Sequence, residues 1–391
     1  MKNLPTIPKE EFKQRRDNLR DLMISNQIDI IIAYSDDRAT FGQQFSRYYF
    51  NYQPHFEPAC LVIQANEDSY IITGPESEEF VLNNSYCTKV LIADVFTHPD
   101  EEYPYHDIKK ISELIRSSIK KTSKIVVGIA GQEMIPYDIL NAVKDIDKVE
   151  TINVNQIILE QRSIKTKNEI DVIKHCYLIA EKGIKRGIEV IEKGINEREI
   201  AAEIEYVMRK NGSEGMGIDT IIGSGKKNTR PIITRTTFRE ILNGDHVLLT
   251  IAPRYEGYHG AIGRVVGIGE IDKNITHAYK IATQAQELVI DKMKPGETGK
   301  NLDKIARSFC EKNNFKENFA YSGIHSVGVC EFEYPIMTSW YEKEIKENMI
   351  LSIDIPIFFN NWGGLRIEDG FRITKEANEK LQNISKDMII K

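Results

Sequence analysis

The chain has 391 residues, 41% apolar and 28% charged, with a formal net charge of −6. At roughly 150 residues per domain this length predicts two domains, each able to bury its own core. A mildly acidic chain without a Lys/Arg run interleaved with aromatics excludes nucleic acid as a partner, and a start without a leader pattern and no stretch near the ~18 apolar residues of a membrane span make the expectation a cytoplasmic protein without a membrane partner.

In chain order, FKQRRDNLRDLMISN reads as an amphipathic helix and IDIIIAYS as a buried strand, followed by the strand-like runs ACLVIQA, SYIITG, KVLIAD and KIVVGIA. Helices alternating with short apolar runs predict an α/β N-terminal domain over residues 1–160, and the change of pattern there opens a second domain over 161–391. Thr166 and Glu169 form a capping-box pattern ahead of a long helix, whose apolar stripe is Ile170, Ile173, Tyr177, Ala180, Ile184, Ile188 and Ile191. A second helix carries Asn196 as N-cap, Glu199 three residues on and Gly212 past its end. Residues 219–269 read as strand and hairpin, 275–314 as two more helices, and the chain from Tyr321 onward mainly as strands. The string IIGSGKKNT is not a Walker A loop, because Thr220 and Lys227 stand where that motif needs Gly and Ser or Thr; a glycine-rich turn between strands is expected. Five cysteines without CxxC spacing predict reduced, buried thiols rather than a disulfide framework or zinc site.

Three late segments concentrate chemistry: GIHSVGVCEFEYP, MILSIDIP and GGLRIEDGFRIT. Strand alternation puts Arg366 and Glu368 on one face, and Ser352 and Asp354 on one face. Acids interrupting otherwise apolar strands cost several kcal/mol if buried without a partner or task. His325, Glu333, Asp354 and Glu368 together therefore point to a polar pocket rather than a solvated edge.

The strings SIKTKNEIDVIKHC, SGKKNT, GDHVLLTIAPRYEGYHGAIGR, MKPGETG, GIHSVGVCEFEYP and RIEDGFRIT resemble the creatinase/prolidase/methionine-aminopeptidase superfamily across essentially the whole chain. The resemblance implies the pita-bread fold: an α/β N-terminal domain, then an α+β catalytic domain of two pseudo-two-fold halves, in a homodimer whose N-terminal domain helps close the partner's site. Superfamily metallopeptidases hold two divalent ions with two Asp, one His and two Glu. Those positions fall on Thr250, Ala261, His325, Asp354 and Glu368, so two of five have lost their acid; two supporting histidines read Ile232 and Phe332. GYHGAIGR most resembles the metal-independent creatinase-like branch, which also carries Ala at the bridging position, although that branch's hairpin Glu falls on Gly263 and Glu57 stands where its arginine is expected.

The expectation is thus a creatinase-like hydrolase of a C–N bond in a small, cationic nitrogen compound, with no cofactor. His325 is the proton-transfer residue, and Glu333, Asp354 and Glu368 complete the catalytic set. His55, Glu57, His259, Arg366 and Thr250 line the substrate; His55 and Glu57 also read as a plain surface loop, His259 as a solvent-facing hairpin residue, and Arg366 as a partner for Glu368 or Asp354. Two alternatives stay open: an Xaa-Pro dipeptidase-like metallopeptidase with a reduced, single-ion site, and a non-catalytic binding module.

Overall fold

A computed structural model describes residues 4–120 and 123–391. The described chain divides into two compact units, Ile7–Arg162 and a second formed by Ser163–Lys391 with residues 4–6. In the first, a seven-stranded mixed sheet runs in the order Ile108–Lys109, Val90–Ala93, Tyr70–Thr73, Ala59–Gln64, Ile30–Ser35, Ile125–Ala130, Val149–Asn153. Of its central strands, Ile30–Ser35 and Ala59–Gln64 are buried along their whole length and Ile125–Ala130 at every residue but Val126, which explains why they read as largely unbroken apolar runs rather than as alternating ones.

The second unit repeats one pattern twice. Helices Lys167–Val190 and Glu197–Lys210 precede strands Ile221–Ser224, His246–Ile251 and Ile262–Gly267; helices Lys273–Lys292 and Gly299–Lys312 precede Ile324–Ser326, Ile350–Asn360 and Gly363–Arg372. The six strands belong to one nine-stranded sheet, whose halves meet where Gly263 faces Glu368. This is the pita-bread arrangement, α+β with pseudo-two-fold halves. Both capping boxes form: the side chains of Thr166 and Asn196 accept from the backbone N–H of Glu169 and Glu199, whose carboxylates accept in return. The residues after SG depart from the expected turn, since Gly225–Thr229 is a short helix entered through Gly225 at φ +63°, a left-handed conformation that glycine adopts without penalty.

The apolar face of the sheet packs on the second helix pair through Leu351, Ile353, Ile355, Leu365 and Ile367 against Ala278, Ala282, Ala285 and Val289, each large side chain contributing about 1.5–3 kcal/mol. All five cysteines are free and buried. No helix among the described residues is long and apolar enough to cross a membrane.

Two buried polar contacts fasten the second unit. Lys165 donates to Glu333 (2.9 Å) and to the Ser326 hydroxyl (2.7 Å), with both members of the ion pair almost wholly out of water. His246 lies 3.0 Å through Nε2 from the Gly364 carbonyl. A carbonyl only accepts, so Nε2 carries the proton, and burial lowers the imidazole pKa to about 4, with that hydrogen bond opposing.

Two outcomes are expected. Lys165→Met should destabilise by about 3–5 kcal/mol, because it strands a buried carboxylate, while Lys165→Met with Glu333→Leu should recover most of the loss; strictly additive losses in urea unfolding would show that the pair is not coupled. For His246, a folded pKa below the unfolded value of about 6.5 means that the unfolded chain binds the extra proton, so its contribution is complete above pH 6.5 and lost as pH falls toward 4. His246→Gln should therefore narrow its gap to the wild type as pH is lowered through that window; thermal midpoints that run parallel would contradict this.

Candidate active site

Sheet register assembles the site. Ile221 faces Thr250, Thr250 faces Gly263, Gly263 faces Glu368 and Glu368 faces Asp354, so these five form one row across the strands. Directly opposed residues share a face, and alternation adds Arg366 and Ser352 to it. At Gly263 a side chain would press on Glu368 Cβ at 3.0 Å and Arg366 Cγ at 3.2 Å; the absence of one lets both long side chains lie over the hairpin. His325, paired with Ser352 on the neighbouring strand, comes in from the side.

These residues open onto a cavity of about 430 Å³. Its polar lining is His325, Glu331, Asp354, Arg366 and Glu368, with Tyr321. Its apolar lining is Ile218, Ile221, Ile232, Ile233 and Phe332. Phe332 lies against the His325 ring, centroids 4.3 Å apart. His325, Glu331 and Glu368 each offer a ligand atom, all within 4.8 Å of one another.

Burial dominates the electrostatics. It lowers the His325 pKa to about 4, its hydrogen bond to the Ser326 carbonyl only partly opposing. The imidazole is therefore neutral at pH 7. Nδ1 lies 3.1 Å from that carbonyl and must be the donor, which leaves Nε2 bare, 3.8 Å from Glu368 Oε1. Burial raises Glu331 to about 7, Arg366 opposing and Asp354 adding to the rise. Glu368 is raised well above the usual range by burial and then by Asp354 and Glu331, with Arg366 and the 2.8 Å bond from Ser352 opposing. Asp354 is raised by burial, against Arg366 and the hydrogen bond from Tyr321. Burial works to lower the Arg366 pKa, but Tyr321, Asp354, Glu368 and Glu331 raise it overall. Three carboxylates thus face one permanent cation, which donates from Nη2 to the Ile232 carbonyl at 2.9 Å and lies 3.6 Å through Nη1 from Asp354 Oδ2.

The structure brings His325, Asp354, Glu368 and Arg366 together, and it corrects the expected place of Glu333. That carboxylate is held by Lys165 and takes no part in the pocket wall; Glu331, two residues earlier, occupies the place. Thr250 lies in the strand row, buried, with no hydrogen-bond partner for its hydroxyl among the described residues. His259 is buried rather than solvent-facing and meets the Gly328 carbonyl through Nδ1 at 3.0 Å. In the first unit His55 is exposed, while Glu57 is buried and accepts from the backbone N–H of Ser77 (2.7 Å) and Glu76 (3.3 Å); its carboxylate serves the short Pro75–Ser77 helix, so the expectation that it grips substrate is corrected on that ground. Glu331 and Tyr321 were missed. Both lie outside regular strands, and the Ile324–Ser326 pairing with Glu333–Ile336 shifts register between them, so alternation gives no guide there. A usable signal was the short spacing of Glu331 from His325 in GIHSVGVCEFEYP.

Two of the five donors of a two-ion peptidase site are replaced: Thr250 brings a hydroxyl and Ala261 a methyl. The full two-ion ligand set therefore does not fit these residues. A smaller group does: His325, neutral and bare at Nε2, with Glu331 and Glu368.

Residues 171–375 match metallopeptidase family M24. The Xaa-Pro dipeptidase of Pyrococcus horikoshii is 29% identical over 336 residues, covering 84% of this chain and 94% of that protein. The Xaa-Pro dipeptidase of Pyrococcus furiosus is 28% identical over 379 residues, covering 97% and 100%. The solved prolidase of Pyrococcus horikoshii superposes with a TM-score of 0.82 at 26% identity, covering 96% of this chain and 100% of that one. These relatives overturn the expected leaning toward the metal-independent creatinase-like branch, and with it the creatinase-like hydrolysis of a small cationic compound. The expected absence of a cofactor is corrected by the same match, to a family of metallopeptidases, and by the buried His/Glu donor group. The protein is a hydrolase, and the chain belongs to metallopeptidase family M24.

Proposed function

We propose that the pocket is the active site of a dipeptidase acting on Xaa-Pro dipeptides. The observation that carries this reading is the pairing, in one cavity, of a buried acid/histidine lining with an apolar lining of four isoleucines and Phe332. An amide bond to proline presents a polar reacting centre beside an apolar ring, and the two linings match those two surfaces. The full-length similarity to Xaa-Pro dipeptidases supports the same choice.

The side chains divide the work. Ile218, Ile221, Ile232 and Ile233 take the apolar part of the substrate and keep water from the polar lining. The Arg366 Nε is buried without a hydrogen-bond partner among the described residues, and a guanidinium so placed donates a charge-assisted hydrogen bond to a dipeptide's terminal carboxylate. Asp354 is the proton-transfer residue. Its Oδ2 is held by the Tyr321 hydroxyl and faces Arg366, whereas its buried Oδ1 has no hydrogen-bond partner among the described residues. A carboxylate fixed by one oxygen, open at the other and raised above the usual range has the geometry and basicity of a general base.

Purified protein supplied with Mn²⁺, Co²⁺ or Zn²⁺ should hydrolyse Xaa-Pro dipeptides with an apolar first residue in preference to Xaa-Gly analogues. Asp354→Asn should lower kcat by about 10²–10⁴, the usual contribution of a positioned proton-transfer group, with little change in KM. Arg366→Met should instead act mainly on KM and should matter less for dipeptide amides, which have no carboxylate to hold. Failure to cleave any Xaa-Pro dipeptide under all three metals, in protein that melts cooperatively, would overturn the assignment.

A further inference from the structure

We propose that this chain binds a single divalent cation and that Glu331 is its third protein ligand beside His325 and Glu368, a replacement for the acids absent at Thr250 and Ala261. The inference rests on the pocket described above and concerns binding alone, so it stands or falls separately from the choice of peptide substrate.

Four observations converge. The three residues present ligand atoms within 4.8 Å of one another, all buried. His325 is oriented for ligation: its Nδ1 proton is committed to the Ser326 carbonyl, so the Nε2 lone pair faces Glu368 Oε1 at 3.8 Å. Two lone pairs so placed repel unless a cation or a proton lies between them, and a histidine fixed through its other nitrogen is the usual form of a metal-bound imidazole. Glu331 is 8% exposed, and its carboxylate lines the cavity beside His325 and Glu368. An acid so far out of water calls for a cation or another task. Finally, Arg366 lies 3.6 Å from Asp354 and matches its charge, which leaves Glu331 and Glu368 with two negative charges when ionised, the number that one divalent ion neutralises.

Asp354 lies outside the group whose ligand atoms gather within 4.8 Å, and its Oδ2 is engaged by the Tyr321 hydroxyl and Arg366. A second ion beside Thr250 and Ala261 would meet a neutral hydroxyl and a methyl group. One imidazole and two carboxylates, with room left for water or substrate, form a donor set suited to Zn²⁺, Mn²⁺ or Co²⁺.

The test is a metal titration without substrate. Protein stripped by chelator and dialysed against Zn²⁺ or Mn²⁺ should retain about one ion per chain by elemental analysis. In calorimetric titration Glu331→Gln should weaken binding at least about tenfold, whereas Asp354→Asn should stay within about threefold of the wild type. Glu331→His, which returns a neutral donor to the same place, should restore much of the affinity and so separates ligand loss from misfolding; thermal midpoints of the metal-free variants provide the control. Two ions per chain, wild-type affinity in Glu331→Gln, or a loss in Asp354→Asn as large as that in Glu331→Gln would each overturn the proposal.

Discussion

Keeping Glu331, Asp354, Glu368 and Arg366 together out of water is the constraint to which the rest of the second unit is fitted. An isolated buried carboxylate is opposed by a desolvation cost of several kcal/mol, and here three are grouped about one guanidinium. The framework meets this with stiffness. Two long strands, buried over most of their length, carry Asp354 and Glu368 as an opposed pair, and Leu351, Ile353, Leu365 and Ile367 on their other face anchor them to the helices behind. The acids cannot swing out to solvent without breaking that packing. They respond instead by holding protons or by attracting a cation, as the upward displacement of all three indicates.

The departures from the two-ion pattern include two residues of the cavity lining, Ile232 and Phe332. Thr250, Ala261, Ile232 and Phe332 all substitute neutral or apolar groups for acids and histidines that the resemblance leads one to expect. The retained groups are His325, Asp354 and Glu368, and Glu331 joins His325 and Glu368 from the loop between the Ile324–Ser326 and Glu333–Ile336 strands. The acids of the cavity thus lie on the late strands and that loop, and four isoleucines complete its lining. The lysine at position 165 fits the same scheme: by holding Glu333 and Ser326 it fastens the ends of the segment that carries Glu331 and Phe332.

Fold and site were legible to different degrees, for separable reasons. The capping boxes at Thr166 and Asn196 and the apolar stripe from Ile170 to Ile191 are local patterns, set by hydrogen bonds three residues apart and by the 3.6-residue helical repeat; both boxes form and the stripe is buried through Ile184, while Ile188 is half-buried and Ile191 lies just past the helix end. The sharing of a face by Arg366 and Glu368, or by Ser352 and Asp354, follows from strand alternation alone. Where the backbone leaves regular geometry, between Val327 and Phe332, this reasoning ends. Glu331 and Glu333 are acids of the same string, and alternation cannot distinguish them there.

By itself, the sequence determined the order of helices and strands, the pita-bread architecture and which metal-ligand positions had lost their acids, because each is encoded in local periodicity or in a motif read position by position. Only the tertiary structure decided which carboxylates meet. Glu331 and Glu333 part because Lys165, 168 residues away from Glu333 in sequence, captures one and leaves the other facing His325. It also decided protonation: His325 is neutral because of how deeply it is buried, and burial depth is a property of the assembled sheet, not of the letters beside the residue.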